Sequence, residues 1–207
     1  MRRLLILGIP DESLSKAVRQ RQEEFSSATG NRLALYFPVH ITLRGPFWTD
    51  ADSKSFRDCL KRVCRRHRPL QVLLDGPVFV QPDLCWLQIP PTEPCFPALR
   101  NIHDDLEDEV NRLICVDDVP ANHKGDCFRP HMTLGWGTVI SLQQTQPSLW
   151  RPANPIGTIE RIGIGLYPER WPAEGTVEVV ESFPLGGAQA DSKSGCAHSA
   201  AVPNHRG

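Results

Sequence analysis

The sequence predicts an α+β protein of two pseudo-symmetric lobes, each an antiparallel-rich sheet with helices on its outer face, around a central cleft. Three observations predict it. A strand signature occurs twice, as "FPVHITLRG" from Phe37 and as "FRPHMTLGWG" from Phe128, with the two histidines 91 residues apart. Strand-like stretches are interleaved with stretches whose apolar residues recur at helical spacing. Finally, 207 residues, 40% hydrophobic and 23% charged, describe a globular chain that can bury a real core.

The elements follow in order. "MRRLLILGIP" has too short an apolar run for a signal peptide or a membrane span, and reads as a first buried strand. "DESLSKAVRQRQEEF" reads as a helix capped by Asp11 or Ser13. After the first histidine strand, "TDADSKSFRDCLKRVCRRH" places Phe56, Cys59, Leu60 and Val63 at helical spacing. "PLQVLLDGPVFVQPDLCWLQIP" reads as two strands, with turn signals at Gly76-Pro77 and Pro82-Asp83. A third helix is expected from about Pro94 to Leu113, with Leu99, Ile102, Leu106, Val110 and Leu113 as its apolar stripe. The polar loop "DDVPANHKGD" leads into the second histidine strand. Two more strands are expected at Ile156–Leu166 and Thr176–Phe183, separated by the turn "YPERWPAEG". Residues 1–185 thus form one bilobal domain, and 186–207, with almost nothing to pack, form a disordered tail.

Charge and cysteine content narrow the function. Lys plus Arg, 23, nearly balances Asp plus Glu, 24, so no overall field draws the chain onto a polyanion, and any anion needs a local site. Seven cysteines without a CxxC pair predict reduced thiols in a cytoplasmic protein. Cys59, Cys64 and His67 lack a second ligand cluster, so a helix surface explains them better than zinc. The basic run Lys54, Arg57, Lys61, Arg62, Arg65, Arg66 and Arg68 is either an RNA track or, more simply, a solvated helix face. The acidic "HDDLEDE" at His103 reads as a solvated face, and Asp117 and Asp118 as loop residues.

The repeated strand carries the chemistry. Alternation puts His40 and Thr42 on one face with Ile41 and Leu43 on the other, and it separates His131 and Thr133 from Met132 and Leu134 in the same way. A single such triplet is most often a polar outer face. Two copies, both with Phe at minus three and Leu at plus three, indicate a duplicated design. Duplication could be purely structural, but a core strand gains nothing from His and Thr on its free face, which favours a functional reading. Two imidazoles and two hydroxyls around one cleft suit a phosphate. Hydroxyls and imidazolium donate hydrogen bonds to its oxygens. Two imidazoles divide the proton work, since an unperturbed pKa of about 6.5 leaves both protonation states accessible near neutral pH.

With these motifs the sequence resembles the two-histidine (HxTx) phosphoesterase superfamily, in particular its RNA 2′,3′-cyclic phosphodiesterase and 2′-5′ RNA ligase branch. "HITLRGPF", "FRPHMTLGWG" and the closing "IERIGIGLYPERWPAEGTVEVVESFPL" carry the resemblance, which spans roughly Arg2 to Leu185. It implies His40 and His131 as catalytic histidines, Thr42 and Thr133 as phosphate-binding threonines, and no cofactor or metal. Many members of the branch carry a basic residue five positions after the second histidine, where this chain has Trp136. Arg44 and Arg129 are the nearest substitutes for that charge. Trp136, Phe47 and Trp48 are candidates for stacking a nucleobase.

The expected activity is metal-independent hydrolysis of a 2′,3′-cyclic phosphate or related ribose phosphodiester. The partner would be an RNA end or a small cyclic nucleotide, and the protein would act as a monomer away from membranes. A 2′-5′ oligonucleotide, an ADP-ribose cyclic phosphate, or a module that binds phosphate ends without cleaving them remain as alternatives.

Overall fold

A computed structural model describes residues 1–80, 84–118, 125–136, 151–169 and 175–186. The fold is α+β, with two antiparallel sheets and three α-helices among these residues.

β1 (Arg2–Pro10) pairs on one side with β2 (Ile41–Thr49) and on the other with β8 (Ile156–Tyr167). β3 (Leu70–Leu73) and β9 (Glu178–Pro184) occupy successive stretches of β8, and β6 (Val116–Asp117) pairs with β2 at Phe47 and Trp48. The second sheet contains β4 (Asp75–Val80), β5 (Leu84–Gln88) and β7 (His131–Trp136), in that order. The two histidine strands, β2 and β7, therefore lie in different sheets, yet they pack beside each other.

The stretch read as two strands is three. β3 ends in the first sheet and β4 begins in the second, so the chain crosses between sheets at Leu74. Gly76-Pro77 is not a turn between strands. It lies inside β4, where the register with β5 shifts between Asp75 and Val78. β6, at residues read as loop, was not expected. The tail, apart from Gly186, and most of the "YPERWPAEG" turn lie outside the described residues.

α1 (Glu12–Thr29) starts where expected: Asp11 Oδ1 accepts from the Leu14 N–H at 2.8 Å. α2 (Ser53–Arg66) is capped in the same way by Asp52, and α3 (Phe96–Val110) continues into a 3-10 turn at Asn111–Leu113. The helices are exchanged between the sheets. α1, which leaves the first sheet, packs chiefly on β7 of the second, while α3, which leaves the second, packs on β2 of the first and on α2. One continuous core, from Leu4 and Ile6 through Phe25 and Phe56 to Leu99 and Leu134, joins both sheets to the helices.

The basic run of α2 lies against the acidic face of α3. Arg62 pairs with Glu109 at 2.8 Å, Arg66 with Asp105 at 3.0 Å and His67 with Asp105 at 2.7 Å, while Arg57 reaches Glu181 of β9 at 2.6 Å. Two charge runs that each suggest a partner are thus partly each other's partners. Cys59 and Cys64 point inward from the same helix, and burial pushes the Cys64 thiol up to about 11, the reverse of what a metal-binding thiolate requires. No helix among the described residues is long and apolar enough to cross a membrane.

The contact between α1 and β7 depends on a missing side chain. A β-carbon at Gly135 would fall within the van der Waals envelope of the Phe25 ring, which has no exposed surface and no room to retreat. Gly135→Ala is expected to lower stability by about 1–3 kcal/mol, seen as a reduced urea midpoint with an unchanged denaturant slope.

Candidate active site

Both histidine strands carry the same irregularity. In β2, Thr42 lies opposite Leu7 and Arg44 opposite Ile6, so Leu43 is an extra residue in the ladder. In β7, Thr133 lies opposite Trp86 and Gly135 opposite Cys85, which makes Leu134 the extra one. A β-bulge follows each threonine at the same offset. Up to the bulge, alternation holds. Thr42 shares its face with Leu7, away from the main core, while Ile41 and Leu43 enter that core. His131 and Thr133 share a face with Gln88 and Trp86.

The imidazoles are held alike. His40 Nδ1 lies 2.7 Å from the Pro38 carbonyl oxygen, and His131 Nδ1 lies 2.8 Å from that of Arg129, each two residues back along its own chain. A carbonyl accepts only, so in both rings Nδ1 carries the proton and Nε2 becomes the working nitrogen. His40 Nε2 is 3.1 Å from Thr42 Oγ1. The two rings differ in surroundings. Burial, reinforced by the charge of Arg19 on α1 and only partly offset by the Pro38 carbonyl, holds the His40 pKa below the ordinary imidazole value. His131 instead stacks on the Trp86 indole, with ring centroids 4.0 Å apart.

Phe37 links the halves. Its ring is stacked 5.8 Å from His40, lies 6.3 Å from Trp136 at the end of β7, and meets Tyr167 edge-on at 5.8 Å. Its carbonyl accepts a 2.6 Å hydrogen bond from Arg19. Trp136 thus sits beside the first imidazole through one shared neighbour.

Three expected site residues, Arg44, Phe47 and Trp48, are placed elsewhere. Arg44 is 3% exposed, on the core side of β2, because the bulge breaks the alternation that would have set it beside Thr42. Its guanidinium donates to both Asp117 carboxylate oxygens, at 3.1 and 2.7 Å, and to Asn111 Oδ1 at 3.0 Å, and it lies 3.7 Å from Glu107. Phe47 has no exposed surface and stacks on Phe56 at 6.0 Å, so it offers no face to a base. Arg129 is exposed, but its guanidinium folds back onto the carbonyls of Asp126 and Phe128, and its own carbonyl is what orients His131. Trp48 lies at the far end of β2, where its indole N–H donates to Asp118 at 2.8 Å and the Arg3 guanidinium sits over its ring at 5.9 Å.

Sequence reasoning missed Trp86, Arg19 and Tyr167. Trp86 was accessible in principle, since Leu84, Trp86 and Gln88 alternate in "LCWLQ", but its partner strand could not be read from it. Arg19 comes from a helix whose docking onto the other sheet has no local signal.

A profile of the 2′-5′ RNA ligase superfamily matches residues 10–154, which contain both histidine strands. The chain belongs to the 2′-5′ RNA ligase superfamily. Solved structures agree on the fold. LigT of E. coli complexed with 3′-AMP matches with a TM-score of 0.59 at 15% identity, over 89% of this chain and 97% of that one. TT0787 of Thermus thermophilus matches with a TM-score of 0.55 at 19% identity, over 89% and 98%. No curated protein matches. As a member of the 2′-5′ RNA ligase superfamily, the chain is an enzyme of the phosphoesterase type.

Proposed function

We propose that this chain hydrolyses a 2′,3′-cyclic phosphate, or a related ribose phosphodiester, at an RNA end or small nucleotide without a metal ion, with His40 as general base and His131 as general acid. The observation that carries this reading is the matched Nδ1–carbonyl bond in both motifs, which presents two Nε2 atoms from two neighbouring strands.

The division of roles rests on environment. A general base must start neutral, and desolvation with Arg19 nearby keeps His40 so. A general acid must start protonated, and with His40 as the base that role falls to His131, stacked on the Trp86 indole. His40 Nε2 takes a proton from water as the water oxygen attacks phosphorus. The bond from phosphorus to one ribose oxygen breaks, and His131 Nε2 protonates that oxygen as it leaves. The products are a phosphomonoester and a free ribose hydroxyl. Thr42 and Thr133 donate to the nonbridging oxygens as charge builds on them. With Arg44 paired in the interior, positive potential on the first strand's side comes from Arg19. Trp136 and Trp86 supply flat apolar surface for a base or sugar.

The pH profile of kcat/KM tests the roles. It is expected to be bell-shaped, with the acid-side rise centred below about 6.5, because the neutral base persists to lower pH when its pKa is depressed. The substrate panel should contain 2′,3′-cyclic, 2′-5′ and ADP-ribose cyclic phosphodiesters, with chelator present and products read by phosphorus NMR. An acid limb centred above the ordinary imidazole value would reverse the assignment. Loss of turnover with chelator would point to metal chemistry instead.

A further inference from the structure

Two buried polar side chains take no part in the mechanism above, and both touch the backbone of a histidine strand. Gln22 on α1 is 4% exposed, and its Nε2 donates to the Thr133 carbonyl at 2.7 Å. His103 on α3 is 2% exposed, and its Nδ1 donates to the Leu43 carbonyl at 2.7 Å. These carbonyls stand at the two bulges, where the strand ladder is interrupted. The arrangement is crossed. A helix from the first half holds the second motif, and a helix from the second half holds the first. His103 also stacks almost parallel on Phe128, at 4.3 Å, three residues before His131.

Each contact carries an evident cost. Among the described residues, Gln22 Oε1 and His103 Nε2 are buried without a hydrogen-bond partner, His103 Nε2 being 3.8 Å from Glu107. A core selected for stability alone would avoid two such orphaned atoms. Local rules broken at a definite cost mark functional sites more often than packing sites.

We propose that Gln22 and His103 are positioning residues, which fix the two bulges and so set where Thr42, Thr133 and the imidazoles beside them stand. The proposal deepens the phosphodiesterase reading and rests on it for its kinetic consequence. Neither residue touches substrate. Each acts through a carbonyl adjoining the motif, Gln22 on the His131 strand and His103 on the His40 strand. Displacement of a reacting group by about 1 Å costs up to about 10²-fold in rate. Loss of either donor therefore lowers kcat rather than raising KM.

The test uses Gln22→Met and His103→Phe, which keep bulk and remove the donor, beside Gln22→His and His103→Gln, which restore one. Imidazole nitrogen NMR of the full chain, thermal midpoints, and kcat and KM on a 2′,3′-cyclic mononucleotide are measured for each. Gln22→Met is expected to move chiefly the His131 signals and His103→Phe chiefly those of His40, each with kcat down about 10²-fold and KM changed by less than about threefold. The donor-restoring variants should recover most of the rate. Folded variants with unmoved histidine signals and parental kcat would overturn the proposal, as would losses that merely track the unfolded fraction. If His103→Phe or Gln22→Met does not fold, the restored pair decides: signals and rate near the parent support positioning, and their absence in folded protein refutes it. Should the parent cleave no cyclic phosphate, the functional reading fails while the crossed NMR response still judges the positioning role.

Discussion

Replacing His40 or His131 with alanine is expected to lower kcat/KM on a 2′,3′-cyclic phosphate by about 10²–10⁴-fold for each site. The fold should survive. Both rings are half-buried rather than core; His131 gives up its bond to the Arg129 carbonyl, and His40 gives up those to the Pro38 carbonyl and the Thr42 hydroxyl, each worth about 1 kcal/mol. The two losses should not multiply in the double variant, because acid and base serve a single displacement and neither completes it alone. His40→Ala should also remove the acid limb of the pH profile from whatever activity remains. Near-parental rates in either single variant, on every phosphodiester that the parent cleaves, would end the two-imidazole mechanism.

Phe47→Ala is expected to cost about 3–5 kcal/mol of stability and leave the KM of folded protein unchanged. The ring has no exposed surface, stacks on Phe56 at an interplanar angle of 14°, and lies 6.0 Å from the Arg44 guanidinium. Removing it opens a cavity between β2 and α2 that the surrounding elements can only partly fill. Since domains commonly have about 5–15 kcal/mol in total, the variant should show a sharply lower urea midpoint. A folded variant with an unchanged midpoint and a raised KM would return Phe47 to the substrate side, against its placement here.

The contrast between these residues shows what the sequence could convey. His40, Thr42, His131 and Thr133 were legible because alternation and duplication are both local signals, and the structure gives each pair the expected face. Arg44 was not, because a bulge changes which face the next residue occupies, and the bulge after Thr42 has no reliable signature in "HITLRGPF". Phe47 lies on the side of Ile41 and Leu43, where alternation counted from Thr42 already puts it. The helices were readable, the first from its cap and the other two from their apolar stripes. What they pack against was not, since an apolar stripe does not state which sheet it will cover. Arg19, Gln22, Trp86 and His103 all depend on that docking. The two phenylalanines at minus three show the same limit. Phe37 rides on the first imidazole and Phe128 on His103, so identical letters at identical offsets have different neighbours.

The exchange of α1 and α3 between the sheets bears on how the molecule comes apart. A peptide ending at Leu74 would present the apolar flank of α1 to water, with Phe25 lacking the Gly135 backbone it covers, and its β2 would lack the α3 helix behind it. The complementary peptide would be exposed in the same manner. The chain should melt in a single cooperative step, because neither half owns a finished interior.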